Sequence, residues 1–564
     1  MYASLNEGKP ALSLARSSGL FAAGTLLSRI SGLIRDQVIL AIFGASALQD
    51  AFTVAFRIPN LLRDMLAEGA LGNAFTKVYT SIRQDDPARG IRLLHDFLQL
   101  TFLASVVICS AGIVFAPQLV ALMTTFGSSK GAALAADPQF IHNTTGLTRI
   151  LFPYLGLAIL GAVVMGALHQ GGRFFLSAIS PLGFNLGNIV GALLFAKVLT
   201  SVCGDWIQLH IADPSITGLA IGVLIGGVAQ LTMQASGIYR SSIKGQMRWR
   251  GLPWSADTKK VLMLMAPAAI AASSGPVNVM INTNFATSLQ AGSVSWLNFA
   301  FRLLQLPVGI FGVAVGSAVL PALARSIRAQ GSRTKAGVEA SGHLQNATEL
   351  VLWALVPCMI FLAVNAIPLM DALFRHGHFT RSDAVHTANA LFAYSFGLIG
   401  YGLIKVFTSF YFAVERTSYA MVVSLLSIAV NYGGNSILVE RFAYQGLAWT
   451  ASLSLTVNAT ILFLGLRRHK IDWDFGRLGR SLSILALATA STLGATLCSW
   501  QIVERAGSVS SVAQWYENAG KIEVYGMLSL NIVLTILIFG LAAAVLLKQS
   551  PQKLLQGAIK RLRR

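Results

Sequence analysis

Fourteen times along the chain the sequence stays apolar for long enough to cross a lipid bilayer. These segments fall at about 18–43, 48–80, 93–124, 147–169, 174–199, 215–239, 260–290, 293–323, 346–373, 384–412, 417–439, 443–466, 478–502 and 523–547. A hydrocarbon core takes about 20 mostly apolar residues in a helix, since lipid offers no water to bare backbone groups. Composition agrees: 54% of the 564 residues are hydrophobic and 12% charged, against roughly 25% charged in soluble domains. The expected class is an all-α polytopic membrane protein with about 14 transmembrane helices. The second, third and eighth segments exceed one crossing, so they should hold tilted or broken helices or interfacial extensions.

The net charge of +20 admits two readings: the footprint of a nucleic-acid partner, or the positive-inside bias of membrane proteins. An even number of spans puts both termini on one side. If that side is cytoplasmic, the inside loops hold 28 Lys and Arg and the outside loops 6. Most of the charge then records orientation, and no nucleic acid is needed. Arg29, Arg35 and Asp36 interrupt the first segment, which outlasts the 7 to 15 apolar residues of a signal peptide, so it reads as a retained helix. Cys109, Cys203, Cys358 and Cys498 lack metal-ligand or CxxC spacing and read as packing residues. No HExxH, Walker or GxSxG motif occurs, so neither catalysis nor ATP hydrolysis is expected and no cofactor is called for. His376 and His378 read as ordinary loop polarity.

The chain also repeats itself. A shift of 245 places Ala55-Phe56-Arg57 on Ala300-Phe301-Arg302, and Ala67, Gly69 and Gly72 on Gly312, Ala314 and Ser317. Segments 1–6 then correspond to 7–12, a parallel repeat about an axis along the membrane normal, as in two-lobed transporters.

Ionisable residues within the spans carry the functional signal, because one at the bilayer centre costs roughly 2.5–3.5 kcal/mol on insertion scales. The first helix holds Arg29, Arg35 and Asp36; the second holds Asp50, Arg57, Arg63, Asp64 and Glu68; the eighth holds Arg302. Arg29 and Asp36 are seven apart, as are Asp50 and Arg57, so each pair shares a helical face and could form a structural salt bridge. If Asp64 and Glu68 sit near the cytoplasmic half of the second helix, where they reach water or neighbouring bases, cations outnumber anions at depth, which suggests an anionic ligand. Arginine suits phosphate because its planar fork takes two oxygens and stays charged when desolvated. Pro59 should bend the second helix and leave the direction of Arg63 open.

At SRISGLIRDQVILAIFGASALQDAFTVAFRIPNLLRDMLAEGALGNAF the sequence resembles the MurJ (MviN) family of lipid II flippases, within the multidrug/oligosaccharidyl-lipid/polysaccharide exporter superfamily. The likeness continues through INTNFATSLQAGSVSWLNFAFRLLQLPVGIFGVAVGSAVLPALA, FRHGHFT, YSFGLIGYGLIKVFTSFYFA and AYQGLA. It implies a cytoplasmic segment 1–17, an N-lobe 18–240, a cytoplasmic linker 241–259, a C-lobe 260–467, two helices within 478–547 forming a groove for a lipid tail, and a basic cytoplasmic tail 548–564. It also implies a cationic central cavity. The family's functional residues fall on Arg29, Arg35, Asp50, Arg63 and Arg302, with Asp36, Arg57 and Gln305 secondary. The arginines would hold the diphosphate of lipid II.

Some relatives carry an acidic residue where this chain has Gln305, and Asp-Arg where it has Phe301-Arg302. Asn282, Asn431 and Asn435 are weak candidates for a cation site, for which family members use carboxylates. Drive by membrane potential therefore stands beside drive by a cation gradient. The resemblance implies a multi-pass protein of the bacterial inner membrane with both termini cytoplasmic, lipid II as substrate, and membrane lipids and the cell-wall synthesis machinery as partners. The alternatives are an exporter of drugs or another lipid-linked oligosaccharide, and a non-transporting membrane scaffold.

Overall fold

Three helices begin with the same dipeptide, and it shows how sequence sets their starts. Asp86-Pro87, Asp137-Pro138 and Asp213-Pro214 each put a carboxylate at the cap and a proline at the first helical position. Asp86 accepts from the Ala88 and Arg89 amides, Asp137 from Gln139 and Asp213 from Ser215. The proline has no N–H to leave unsatisfied there. In the exposed turn before its helix, the Arg89 amide above all holds the Asp86 carboxyl below the ordinary carboxylate range.

The computed structural model describes residues 10–125, 134–210, 212–239, 254–329, 337–414, 416–469, 471–506 and 521–547. Residues 1–9 of the N-terminal segment, 240–253 at the expected linker and the tail 548–564 lie outside the described residues. Regular structure among the described residues is helical. Two compact units divide at Ser295/Trp296, and His376–Phe379 belongs with the first.

In the first unit, α1 (Pro10–Phe43) and α2 (Ala47–Arg63) are followed by a π turn, Asp64–Leu71, and α3 (Gly72–Asp85). Next come α4 (Pro87–Val114), α5 (Ala116–Thr125), α6 (Pro138–Gln170), α7 (Phe174–Ile179), α8 (Pro181–Val190), a π turn Gly191–Phe195, α9 (Ala196–His210) and α10 (Pro214–Tyr239). α11 (Ala256–Ala272) and α12 (Ser274–Thr287) complete it, with α11 packed on α3 and the first π turn. α8 and α10 approach through glycines four residues apart. A Cβ on Gly187 would stand 2.3 Å from the Gly226 Cα, and one on Gly191 2.4 Å from the Gly222 Cα. In lipid, where apolar surface alone does not drive association, such backbone approach is what holds helices together.

The second unit takes up α13 (Ser293–Pro307) from Trp296 onward, with a π turn Val308–Gly312 and α14 (Val313–Ala329). It continues through α15 (Val338–Val364), α16 (Ala366–Phe374), α17 (Arg381–Ser395), α18 (Leu398–Ala413), α19 (Thr417–Leu466), α20 (Phe475–Ala506) and α21 (Lys521–Leu547). The π turns after α2 and α13 overlap when shifted by 245, so the expected counterparts share a local deformation as well as residues.

As one straight rod, the 50 residues of α19 would span about 75 Å, more than two bilayer cores. The chain instead reverses at Ala443 (φ 47°, ψ −133°). Ser427 and Ser454 exchange hydroxyl-to-carbonyl bonds across the two arms, and a Cβ on Gly446 would stand 2.5 Å from the Leu438 carbonyl. α19 is thus two antiparallel arms, matching the eleventh and twelfth apolar segments.

α20 and α21 pack on α15 through Val356, Ile360, Leu485, Ala488 and Phe539. Glu349 accepts from Arg477 at 2.8 Å and from Gln345 at 2.9 Å, Trp353 donates to Ser481, and Asn531 donates to Asn365.

Among the described residues nine helices are long and apolar enough to cross a membrane, or up to ten with the bent pair α17–α18 taken as one span. α1, the path through α2 and α3, and the pair α11–α12 do not meet that test. The first two carry the charges noted above, and the third is broken at Ser273.

Two substitutions test this packing by melting temperature in detergent. Ala443→Gly should stabilise by about 1 kcal/mol, since only glycine adopts that backbone without strain. Gly222→Val should destabilise by roughly 1–3 kcal/mol by forcing α8 and α10 apart.

Candidate functional site

Two Arg-Asp dipeptides, Arg35-Asp36 and Arg63-Asp64, fold into the same device. Nε and Nη2 of Arg35 donate to Oδ1 of Asp36 at 3.0 and 2.8 Å, and Nη1 donates to Oδ1 of Asn185 at 3.0 Å. Nε and Nη2 of Arg63 donate to Oδ1 of Asp64 at 3.1 and 2.7 Å, and Nη1 donates to the Tyr154 hydroxyl at 3.0 Å. Each guanidinium is thereby fixed in plane by a neighbouring carboxylate and a polar anchor on another helix. Asn185 is held in turn by its bonds to the Ser28 carbonyl and the Ser31 hydroxyl.

One aromatic cluster joins the two devices. The Tyr154 and Phe184 rings lie 5.2 Å apart, Phe56 stacks on Phe184 at 6.4 Å, and the Arg35 guanidinium lies 5.9 Å from the Phe184 centroid. Arg35 and Arg63 thus flank the same patch of the first unit. Arg29 and Arg57 are both half-buried, and Arg29 makes no hydrogen bond or ion pair among the described residues. The side chain of Glu68 lies outside the described ones.

The spacing of seven between Arg29 and Asp36 and between Asp50 and Arg57 does not become contact. Asp36 pairs with Arg35. Asp50, fully buried, accepts from the Gly292 amide at 2.7 Å, the Ser295 amide at 2.8 Å and the Ser295 hydroxyl at 2.5 Å. Two of these donors are buried amides at the start of α13 that have no partner within the helix, where a carboxylate also meets the positive end of the helix dipole. Asp50 is an anchor for α13, with both oxygens engaged. Its loss from the local balance leaves Arg29, Arg35, Arg57 and Arg63 facing Asp36 and Asp64 among the described side chains, so the excess of cations expected from sequence persists.

In the second unit the Arg302 guanidinium lies 5.5 Å from the Phe299 centroid, and Gln305 is exposed. Asn435 donates to Asn431 at 2.8 Å, and both are buried. Asn282 lies half-buried in the first unit. Among the described residues no group of three or more His, Cys, Asp or Glu side chains could hold a metal. The FRHGHFT segment has a role its polarity did not suggest: the His378 amide donates to the Ala41 carbonyl at 2.9 Å, at the end of α1. Gly377 takes φ 58°, and a Cβ there would stand 2.0 Å from that carbonyl.

Sequence reasoning missed Asn185 and Tyr154. A signal existed for each, since a polar group inside an apolar segment needs a partner.

Comparison with known proteins extends the match along the chain. A family model described as "Lipid II flippase MurJ" matches residues 39–517. The chain belongs to the MurJ family of lipid II flippases. A probable lipid II flippase MurJ of Haemophilus influenzae is 30% identical over 530 residues, covering 92% of this chain and 96% of that protein. The lipid II flippase MurJ of Burkholderia cenocepacia is 32% identical over 458 residues, covering 79% and 82%. A solved structure of a lipid II flippase MurJ in an inward closed conformation matches with a TM-score of 0.72 at 21% identity, covering 93% of this chain and 98% of that one. An inward-facing multidrug resistance MATE family transporter of the MOP superfamily matches with a TM-score of 0.62 at 14% identity, covering 78% and 95%. These structural likenesses show a shared fold, and MurJ family membership makes the chain a multi-pass membrane protein.

The Asp50 anchor is open to test. Asp50→Ala should cost roughly 2–4 kcal/mol by leaving amide donors buried and unpaired, read as a lower melting temperature in detergent. Asp50→Asn, which keeps one acceptor oxygen, should cost less.

Proposed function

We propose that this chain is a lipid II flippase, moving an undecaprenyl-diphosphate-linked peptidoglycan precursor from the cytoplasmic to the periplasmic leaflet. The observation that carries the reading is the pair of planar Arg-Asp forks flanking the Phe56–Tyr154–Phe184 cluster, in a chain whose family match runs from residue 39 to 517. Carboxylate pairing holds Arg35 and Arg63 flat until phosphoryl oxygens compete for them. Within the first unit Arg29 and Arg57 add charge and Asp36 holds Arg35 in place, while Arg302 of the second unit is a candidate anion contact in its own right. Guanidinium recognition of a diphosphate is bidentate and keeps its charge when water is excluded.

Both termini lie in the cytoplasm and the chain resides in the inner membrane, a reading supported by the Lys and Arg asymmetry of the loops. Exposed apolar side chains on α20 and α21, among them Leu487 and Ile536, supply a surface for the lipid tail. Transport proceeds by alternating access, driven by the membrane potential or a cation gradient. A partner among the cell-wall synthesis enzymes would supply or consume the cargo. A drug exporter on the same fold would need carboxylate-led recognition of organic cations, and arginine forks disfavour that.

In cells depleted of this protein and lacking another flippase, lipid II should stop reaching the outer leaflet, as read by leaflet-resolved labelling. Normal outer-leaflet lipid II would overturn the assignment. Arg29→Ala and Arg302→Ala should each reduce translocation at least about tenfold, the worth of one charge-assisted hydrogen bond, at unchanged expression.

A further inference from the structure

Within the first unit, one ion pair outside the arginine forks joins helix starts 168 residues apart in sequence. Nε and Nη2 of Arg89, in the first turn of α4, donate to Oδ2 and Oδ1 of Asp257, in the first turn of α11, both at 2.8 Å. Two guanidinium nitrogens meet both carboxylate oxygens, the bidentate fork that gives an arginine pair its directionality. Arg89 is half-exposed, whereas Asp257 is mostly covered.

Local rules favour only one of the two partners. A carboxylate in a first turn meets the positive end of the helix dipole, which suits Asp257, and a cation there is disfavoured. Arg89 nevertheless occupies such a turn, on a backbone that is tightly fixed. Asp86 caps α4 by accepting from the Ala88 and Arg89 amides, and a Cβ on Gly90 would stand 2.8 Å from the Arg83 Cβ of α3. The α3–α4 turn thus presents Arg89 from a rigid base, and α11 answers its charge. On the α11 side, the Ser255 hydroxyl accepts from the Thr258 amide, and Thr258 and Val261 are fully buried one turn apart.

What α11 covers links this pair to the arginine site. α11 packs on α3 and on the π turn Asp64–Leu71. That turn opens with Asp64, whose Oδ1 takes Nε and Nη2 of Arg63. A π turn is a rare deformation, found often at functional sites. This one is packed against α6 and α11, so the path of its backbone, and with it the aim of the Asp64 carboxylate, depends on where α11 sits.

We propose that Arg89 and Asp257 are positioning residues of the cargo site: they seat α11 on the π turn and thereby keep Asp64 where it holds the Arg63 guanidinium in plane. This rests on the flippase reading and names a support of its arginine site. Neither residue touches the cargo; both act through Arg63.

Lipid II binding to the purified full chain in detergent, read beside the melting temperature, tests the pair. Arg89→Gln and Asp257→Asn should each weaken binding about threefold, the scale of an exposed ion pair, with the melting temperature close to that of the wild type. The reversed pair, Arg89→Asp with Asp257→Arg, should recover most of the loss. In an Arg63→Ala background, which itself binds less well, Asp257→Asn should cost no further affinity, because a residue that acts through Arg63 then has nothing to position. Wild-type affinity in Asp257→Asn or in Arg63→Ala overturns the proposal. So does a reversed pair as weak as either single variant, or a full further loss in the Arg63→Ala background. The flippase reading is judged separately: if Arg29→Ala loses affinity while Asp257→Asn keeps it, that reading stands and the positioning role falls. If the wild-type chain binds lipid II no better than a lipid with a neutral headgroup, the flippase reading itself fails.

Discussion

An ion inside hydrocarbon must have a partner or a purpose, and the interior of this protein is organised around that constraint. Water at ε ≈ 80 hides charges from one another, whereas in a span each one attracts or orders its surroundings. Asp50 lies where the start of α13 offers amides that have no partner within the helix. Arg35 and Arg63 each lock onto the aspartate that follows them in sequence. Farther along, Arg477 meets Glu349 and thereby ties the start of α20 to α15. The helices that bear these groups are held in register by them, since apolar packing in lipid leaves rotation about the helix axis weakly determined.

Placement of a guanidinium in this way also suits it to hold cargo. A free arginine loses substantial side-chain freedom when it grips a ligand. Arg35 and Arg63 have lost it already, through Asn185 and Tyr154. In the proposed site an arriving phosphate would exchange one set of oxygens for another and leave the geometry in place, which is how preorganisation converts contact into affinity. The aromatic cluster of Phe56, Tyr154 and Phe184 lies between the forks and packs beside both.

Much of the fold was legible before the structure. Spanning length, loop charge and the repeat at 245 gave class and approximate order, because bilayer thickness and backbone hydrogen bonding act on each segment by itself. The candidate arginines were legible for the same reason, each standing out against an apolar background. Pairing was not. Helical spacing put Asp36 opposite Arg29, yet Arg35 could curl its long side chain onto the adjacent carboxylate while Asn185, 150 residues away, fixed the other edge. Proximity along one helix is only one of several routes to a partner once other helices surround it.

Other features had no local signature strong enough to read. Nothing at Ala443 marks a reversal, since alanine is a strong helix former; bonds between the arms, such as Ser427 to Ser454, hold it. The sequence by itself determined that this chain enters a membrane many times and carries arginines into it, because those properties reside in single segments. Tertiary structure alone decided which anion each cation meets, because a partner is a property of the space between helices.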